Sequence, residues 1–266
     1  MTLEEYASLK KFKNVNIISS YHNHNYLCQH ASGTVIDYVT EAKEKGLLKF
    51  GISDHGPSNV YHERMNLEAF YNEYLPQFEN VDNLGIKVYK GLEMEYNKDD
   101  LENMKKLRKE VDYMILGQHY VYRDNRYKMV HKEDVDDIDV KIYKDTIIEA
   151  LNTGLFQILA HPEIVFYRME KISNFALKCL EEIVVTAKNL GVYLEVNANG
   201  MRRSGIGKLK YRYPRQEYLD LLKKHNAKCI VSDDAHTPSH IVDLSTEILY
   251  SYLIDEGFNL VIDPML

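Results

Sequence analysis

The sequence of 266 residues contains no tryptophan, only six prolines and only three cysteines. Cys28, Cys179 and Cys229 show no C-x-x-C spacing and are too scattered for a disulfide framework, so we expect reduced thiols in a cytoplasmic protein. The polar N-terminal segment lacks the apolar core of a signal peptide. No run approaches the ~18 consecutive apolar residues of a membrane-spanning helix, so we expect no membrane partner.

Positive charge is also scarce. The chain has 33 Lys and Arg against 40 Asp and Glu, a formal net charge of −7. Because no block of basic residues suggests a duplex-binding surface, we expect no nucleic-acid partner. The composition is 45% hydrophobic and 27% charged, which is typical of a globular protein and excludes a disordered one. We expect residues 1–266 to form a single domain, since no linker or low-complexity tract interrupts them.

Short apolar runs alternate with longer amphipathic segments along the chain. The predicted strands are Val15–Ser20, Phe50–Ser53, Ile86–Leu92, Tyr113–Leu116, Gln157–Ala160, Val192–Val196, Lys228–Ser232 and Asn259–Ile262. The predicted helices are Thr34–Lys45, Leu67–Phe78, Asp134–Leu151, Asn174–Leu190, Pro214–His225 and one that begins at Thr237-Pro238. Asn66 and Ser173 are the expected caps of the second and fourth helices.

This alternation predicts a parallel sheet of seven or eight strands covered by helices. A closed α/β barrel is the favoured architecture. A doubly wound open sheet is the alternative, but its first turn is usually rich in glycine, and here that turn reads Ser19-Ser20-Tyr21-His22.

Histidine and carboxylate residues follow six of the predicted strands. They are His22, His24 and His30 after the first strand, Asp54-His55 after the second, Glu93, His119 and His161 after the third to fifth, and Asp233-Asp234-Ala235-His236 after the seventh. In a closed parallel barrel all carboxyl ends point to one face, so residues from distant positions meet there. His22 and His24 also lie on the same side of an extended segment, because side chains alternate along it.

A lone histidine at a strand end is more often a satisfied polar residue than a metal ligand. Asp54 and Asp233 could cap helices, and Glu95 could be a solvated loop charge. The recurrence of His, Asp or Glu at the ends of six predicted strands is harder to explain by packing or capping alone, because burying so many imidazoles without a metal is costly. Nine ligands with one bridging carboxylate suit three divalent ions, and their mixture of donors favours zinc, iron or manganese. We assign no role to Cys28.

The strand-end motifs resemble the four-motif pattern of the polymerase and histidinol phosphatase (PHP) superfamily. The motifs are His22-x-His24, Ser53-Asp54-His55, Gly91-Leu92-Glu93, Gly117-x-His119, Ala160-His161-Pro162 and Ser232-Asp233-Asp234-Ala235-His236. The chain length and the segment Glu195-x-Asn197-x-Asn199-Gly200-Met201-Arg202 resemble the monofunctional histidinol phosphate phosphatases of that superfamily.

The resemblance implies a distorted (β/α)7 TIM-like barrel with a trinuclear metal centre at the C-terminal ends of the strands. It implies a first ion held by His22, His24, Glu93 and Asp234, a second held by Glu93, His119 and His161, and a third held by His30, His55 and His236. The implied activity is hydrolysis of L-histidinol phosphate to L-histidinol and phosphate in histidine biosynthesis.

Chemical reasoning adds expected roles. Two ions can lower the pKa of water so that hydroxide attacks phosphorus, and the leaving alkoxide then needs a proton. Asp54, Asp234 and His236 are the candidate catalytic residues; Asp54, Asp233 or His62 could donate that proton. Arg168 and Arg202 are the favoured phosphate-binding residues, with Arg203 beside them. The loops 57–65 and 120–134 could recognise the histidinol part.

Three other functions are compatible with parts of this pattern. One is a phosphoesterase acting on a nucleotide or another small phosphate ester, and the acidic charge argues against one acting on nucleic-acid ends. Another is a metallo-amidohydrolase, although that class usually carries a lysine bridge where Glu93 stands. The last is a non-catalytic barrel, which the complete ligand set disfavours. The sequence does not indicate an oligomeric state.

Overall fold

Seven parallel strands, arranged in chain order, form the central sheet. The computed structural model describes residues 1–9, 12–59, 65–79, 81, 84–204 and 213–264. The barrel strands are β1 (Ser19–Ser20), β2 (Lys49–Ile52), β3 (Lys87–Met94), β4 (Tyr113–Leu116), β7 (Ile158–Leu159), β8 (Tyr193–Asn197) and β9 (Cys229–Ser232). An isolated parallel bridge joins Asn23 to Ala235 beyond β1 and β9, and the His24 amide donates to the Ala235 carbonyl at 2.9 Å. This contact closes the sheet, which confirms the predicted (β/α)7 barrel.

Nine helices among the described residues surround this sheet. They are α1 (Leu3–Ser8), α2 (Val35–Glu44), α3 (Leu67–Ala69), α4 (Leu101–Leu107), α5 (Asp137–Asn152), α6 (Asn174–Leu190), α7 (Ala198–Ser204), α8 (Gln216–His225) and α9 (Leu244–Asp255). The predicted caps are present: the Asn66 Oδ1 accepts from the Ala69 amide at 2.8 Å, and the Ser173 Oγ from the Ala176 amide at 3.0 Å. After α3 the chain continues as a π turn (Phe70–Tyr74) and a 3₁₀ turn (Leu75–Phe78).

Side chains inside the barrel form a small core of their own. It consists of Tyr21, Tyr89, Tyr113, Ile115, Ile158, Ala160 and Ile230. The Tyr113 hydroxyl donates to the Tyr21 carbonyl across the barrel. Gly51 and Gly91 make room for this ring, since a Cβ at either position would lie 2.2–2.3 Å from Tyr113 side-chain atoms. Alternation along β4 places Met114 and Leu116 in the larger core beneath the helices.

Three predictions about elements need correction. Residues 120–134 contain an antiparallel hairpin, β5 (Tyr120–Arg123) and β6 (Arg126–Met129), where the sequence suggested only a loop. Thr237-Pro238 opens a three-residue 3₁₀ turn, and α9 begins later, at the Asp243 cap. The run Asn259–Ile262 forms no strand of the sheet; Leu260 makes only an isolated bridge to Cys229.

The three cysteines are free, as the sequence predicts, and all three are buried. Within the described ranges, no helix combines the length and apolarity needed to cross a bilayer.

Candidate metal centre

The strand-end residues meet in one cavity of about 350 Å³ at the carboxyl face of the barrel. Its walls include all but one of the predicted ligands: His24, His30, His55, Glu93, His119, His161, Asp234 and His236. The remaining one, His22, is buried directly beneath, with its Nε2 3.2 Å from the Nε2 of His24. The barrel therefore brings together the whole set, although its members are up to 214 positions apart in the chain.

The carboxylate of Glu93 lies at the centre of these imidazoles. Its Oε2 faces a ring nitrogen of His55 at 2.9 Å, of His22 at 3.5 Å and of His24 at 3.6 Å. Asp234 closes the same group from the opposite strand, with its Oδ1 3.2 Å from the His24 Nε2. This arrangement offers one ion two imidazoles and two carboxylates, a donor set suited to zinc, iron or manganese.

The second oxygen of Glu93 faces a different pair of rings. Its Oε1 lies 3.3 Å from the His161 Nε2 and 3.8 Å from the His119 Nε2. This oxygen is fully buried and has no hydrogen-bond partner among the described residues. A buried carboxylate oxygen without a partner is costly, and an ion held by Glu93, His119 and His161 would satisfy it.

A third group of imidazoles stands on the other side of His24. Nitrogens of His24, His55 and His236 lie within 4.8 Å of one another. The ring of His30 is 4.9 Å from that of His236 and 5.3 Å from that of His55. The His30 Nδ1 is engaged by the Cys28 carbonyl at 2.7 Å, which leaves Nε2 for a ligand.

The electrostatics of the cluster also suit cations. Although burial opposes it, the nearby imidazoles of His55 and His22 hold the pKa of Glu93 well below its usual range. Burial likewise opposes ionisation of Asp234, yet its imidazole neighbours hold the pKa of that carboxyl well below its usual range. Two ionised carboxylates among converging imidazoles are the donors that divalent transition metals prefer, so the residues fit the implied ions.

Three further buried carboxylates orient the imidazoles. The His22 Nδ1 is 2.5 Å from Glu195, and the His119 Nδ1 is 2.6 Å from Glu95. The His24 Nδ1 is 3.3 Å from Asp54. Each contact fixes the ring and directs Nε2 towards the centre, which is how ligand histidines are commonly held. Glu95 is therefore a buried partner of His119 and not a solvated loop charge.

Glu195 is the residue of this kind that sequence reasoning missed. Besides His22, its carboxylate accepts from the His161 amide at 2.9 Å, the Asn197 amide group at 2.8 Å and the Ser232 hydroxyl at 2.5 Å. It thus ties four strand ends to one another. The spacing Glu195-x-Asn197 at the end of an apolar strand was the available signal, because it places two polar side chains on the interior face.

Two of the predicted proton donors lie away from the cavity. Asp54 is buried behind His24, where it also accepts from the His55 amide at 2.8 Å. Asp233 accepts from the Ser20 and Thr246 hydroxyls, each at 2.6 Å, and so joins β1 to α9. Neither is among the described residues that line the cavity. His62, the other candidate, lies outside the described residues.

The positions of the three arginines differ from the expectation that Arg168 and Arg202 bind phosphate. Arg168 is half-exposed and pairs with Asp134 at 2.8 Å. Arg202 is held by Asp243 at 2.6 Å. Arg203 is the one of the three that lines the cavity. Adjacent residues of a helix point in different directions, so only one of the pair in α7 can face the site.

The hairpin and the segment after it supply further cavity residues that sequence reasoning did not single out. Met129, His131 and Lys132 line the cavity together with Tyr120, and all four belong to the predicted recognition loop 120–134. Burial lowers the pKa of His131 to about 3, so its ring is uncharged at neutral pH. The predicted loop 57–65 lies largely outside the described residues.

Comparisons with known proteins agree with this geometry. Residues 20–199 match the PHP domain family, and the chain belongs to this family. The probable histidinol-phosphatase of Schizosaccharomyces pombe is 26% identical, covering 89% of this chain and 85% of the yeast protein.

Two solved structures share the fold. A protein of Listeria monocytogenes classed as a histidinol phosphatase superposes with a TM-score of 0.71 at 12% identity, covering 85% of this chain and 98% of that one. The histidinol phosphate phosphatase of Lactococcus lactis, solved with zinc, L-histidinol and phosphate, superposes with a TM-score of 0.67 at 18% identity, covering 92% and 95%.

A buried acid near the centre leads to a prediction about stability. Burial raises the pKa of Glu163 from 4.5 to about 8. The folded state therefore keeps a proton that the unfolded state releases, and the stability from this group is lost as pH rises from about 4.5 through about 8. We expect the free energy of unfolding of wild type, relative to Glu163→Gln, to fall by up to about 1.4 kcal/mol per pH unit in that window.

Urea unfolding of both proteins at pH 5, 6, 7 and 8 measures this difference. Glu170→Gln is the control, because Glu170 is an exposed carboxylate of the same loop. Parallel pH profiles for wild type and Glu163→Gln would show that Glu163 is ionised in the folded protein.

Proposed function

We propose that the protein is a metal-dependent phosphomonoesterase that hydrolyses L-histidinol phosphate to L-histidinol and phosphate, a step of histidine biosynthesis. The main structural support for metal-dependent hydrolysis is the buried Glu93 carboxylate, which lies between two groups of imidazoles. The substrate rests on the names of its relatives, the yeast probable histidinol-phosphatase and the Lactococcus enzyme bound to L-histidinol and phosphate.

We also propose three divalent ions, which could be zinc, iron or manganese. The ligand sets are those that the family resemblance implies: His22, His24, Glu93 and Asp234; Glu93, His119 and His161; and His30, His55 and His236. The short separations within each set support them. When bound, such ions supply charge stabilisation to the phosphoryl oxygens and make hydroxide available at neutral pH.

The chain's own residues bind and orient the reactants. Glu195, Glu95 and Asp54 hold ring nitrogens of His22, His119 and His24, so we assign Asp54 a positioning role. Asp234 and His236 line the cavity, and we propose that they take part in catalysis by holding the ions against the substrate. Glu93, His22, His24 and Asp54 are buried, and the low local dielectric strengthens the contacts between them.

Arg203 and Lys132 are the proposed binders of phosphate charge, because both line the cavity. Arg203→Ala should raise KM or lower kcat for the phosphate ester at least ~10-fold, since a guanidinium can bond two phosphoryl oxygens at once. Arg168→Ala should stay within about twofold of wild type, since its half-exposed guanidinium pairs with Asp134. Arg202→Ala should lose less than Arg203→Ala, since the Arg202 guanidinium is engaged by Asp243 and by the carbonyls of Asp233 and His240. Steady-state kinetics of the three variants test this order, and a larger loss in Arg168→Ala would reverse the assignment.

The substrate is tested by phosphate release from L-histidinol phosphate, AMP, a sugar phosphate and p-nitrophenyl phosphate. We expect kcat/KM above ~10⁴ M⁻¹s⁻¹ for L-histidinol phosphate only. Equal slow turnover of all four would refute the proposed substrate and direct attention to nucleotides or other small esters.

We propose that residues 1–266 form one barrel domain, a view that the closure between the ends of β1 and β9 supports. The cytoplasmic location stays a prediction.

A further inference from the structure

Five aromatic rings form a closed circuit at one end of the cavity. Successive ring centroids are separated by 5.9 Å (His119 to His131), 6.3 Å (to Tyr167), 6.1 Å (to Tyr213), 5.6 Å (to His161) and 4.9 Å (back to His119). All five side chains line the cavity. We call this group the aromatic cup.

The aromatic cup adjoins the place where phosphate would bind. Two of its members, His119 and His161, face the Oε1 of Glu93. The other three come from separate parts of the chain: the segment after β6, the loop after β7, and the residue that precedes Pro214. A molecule whose phosphate is held by the proposed ions beside Glu93 can therefore extend its other end between these rings.

The cup contains two buried ring nitrogens that lack a hydrogen-bond partner among the described residues, the Nδ1 of His161, which is a proposed metal ligand through Nε2, and the Nδ1 of His131. A histidine ring nitrogen donates or accepts according to its tautomer, so it can match either nitrogen of another imidazole. Aromatic rings in turn favour edge-to-face or offset contact with a planar ring.

We propose that the aromatic cup binds the imidazole ring of the substrate, with His131 exchanging a hydrogen bond with it and Tyr167 packing against it. This inference rests on the proposed function. In L-histidinol phosphate only three carbon atoms separate the ester oxygen from the ring, so the phosphate and the ring must occupy neighbouring parts of one cavity. His131 and Tyr167 are then specificity-determining residues that act on the ring and not on the phosphate.

The test compares L-histidinol phosphate with L-alaninol phosphate, which keeps the phosphate and the amine but carries a methyl group in place of the ring-bearing side chain. His131→Ala and Tyr167→Leu should raise KM for L-histidinol phosphate at least ~10-fold and leave KM for L-alaninol phosphate within about twofold. Tyr167→Phe, which keeps the ring, should resemble wild type. Calorimetric binding of L-histidinol to the metal-loaded proteins should weaken in parallel, which gives a readout independent of turnover.

The outcomes separate this inference from the proposed function. If wild type turns over both esters equally well, the proposed substrate is wrong and the cup has no ring to bind. If wild type prefers L-histidinol phosphate and both variants keep that preference and the affinity for L-histidinol, the substrate stands and the cup inference is overturned. Selective loss of the preference in His131→Ala and Tyr167→Leu, but not in Tyr167→Phe, supports it.

Discussion

Replacing Glu93 with glutamine should abolish most of the activity and release metal. We expect kcat/KM for L-histidinol phosphate to fall at least ~1,000-fold, which corresponds to about 4 kcal/mol of transition-state stabilisation. The reason is geometric, since the two oxygens of Glu93 face separate groups of imidazoles and an amide cannot supply the second anionic oxygen. Kinetics and elemental analysis of the purified variant give the two readouts.

Glu95→Gln is the matched control two residues further along the same strand end. The Glu95 carboxylate contacts the Nδ1 and the backbone amide of His119 and not the centre itself. Loss of such an orienting partner typically lowers metal affinity or activity by about 10- to 100-fold. A Glu93→Gln protein that keeps full metal content and activity would remove the bridging role from the account.

Adding a single methyl group at Gly117 should also disable the site. A Cβ at this position would lie 1.9 Å from the Oε1 of Glu93 and 2.5 Å from its Cδ. The backbone has little room to retreat, because the Gly117 amide donates to the Met94 carbonyl at 3.0 Å. We expect Gly117→Ala to displace the carboxylate and lower both metal content and kcat/KM by about 100-fold or more, in line with the loss of a single well-placed charge-stabilising group.

Gly154→Ala separates this local effect from a general loss of stability. Nothing lies within 4 Å of a Cβ at Gly154, but its φ of +72° strains any other residue. That variant should lose roughly 1 kcal/mol of stability and keep the kinetics of wild type. Thermal unfolding and phosphate release, measured on both glycine variants, distinguish the two cases. A Gly117→Ala protein with normal metal content would show that Glu93 can move without harm.

The convergence of the candidate ligands could be predicted, because it follows mainly from the topology of the barrel. Once parallel strands close on themselves, the residues directly after the strands are carried to the same face, whatever their distance along the chain, although the side chains of Asp54 and Asp233 turn away from the cavity. That rule brings His22, Glu93 and His161 together, and the resemblance to the PHP superfamily is what assigns them to particular ions. The partners of these ligands follow no such rule, since Glu195 and Glu95 act through hydrogen bonds that depend on side-chain direction across neighbouring strands.

The arginines likewise show that side-chain direction cannot be predicted from the order of residues alone. Arg202 and Arg203 are adjacent in sequence, and only the rotation of α7 decides which of them lines the cavity.

The hairpin formed by β5 and β6, in contrast, could have been predicted from the sequence. Asp124 and Asn125 adopt φ values of +53° and +57° between β5 and β6, the conformation of a type I′ turn, and both residue types are favoured there. An Asp-Asn pair between two short runs containing tyrosine and valine was therefore sufficient to predict it.

The central claim is that metal ions at this cluster carry a histidinol phosphate phosphatase activity. The most direct measurement is titration of the chelated protein with zinc, iron(II) or manganese, recording bound ions per chain and phosphate release from L-histidinol phosphate in the same samples. We expect negligible release without metal, and a rate that rises with occupancy and stops rising when the three proposed sites are filled. Full activity in the chelated protein, or stoichiometric metal binding that produces no release, would contradict that claim.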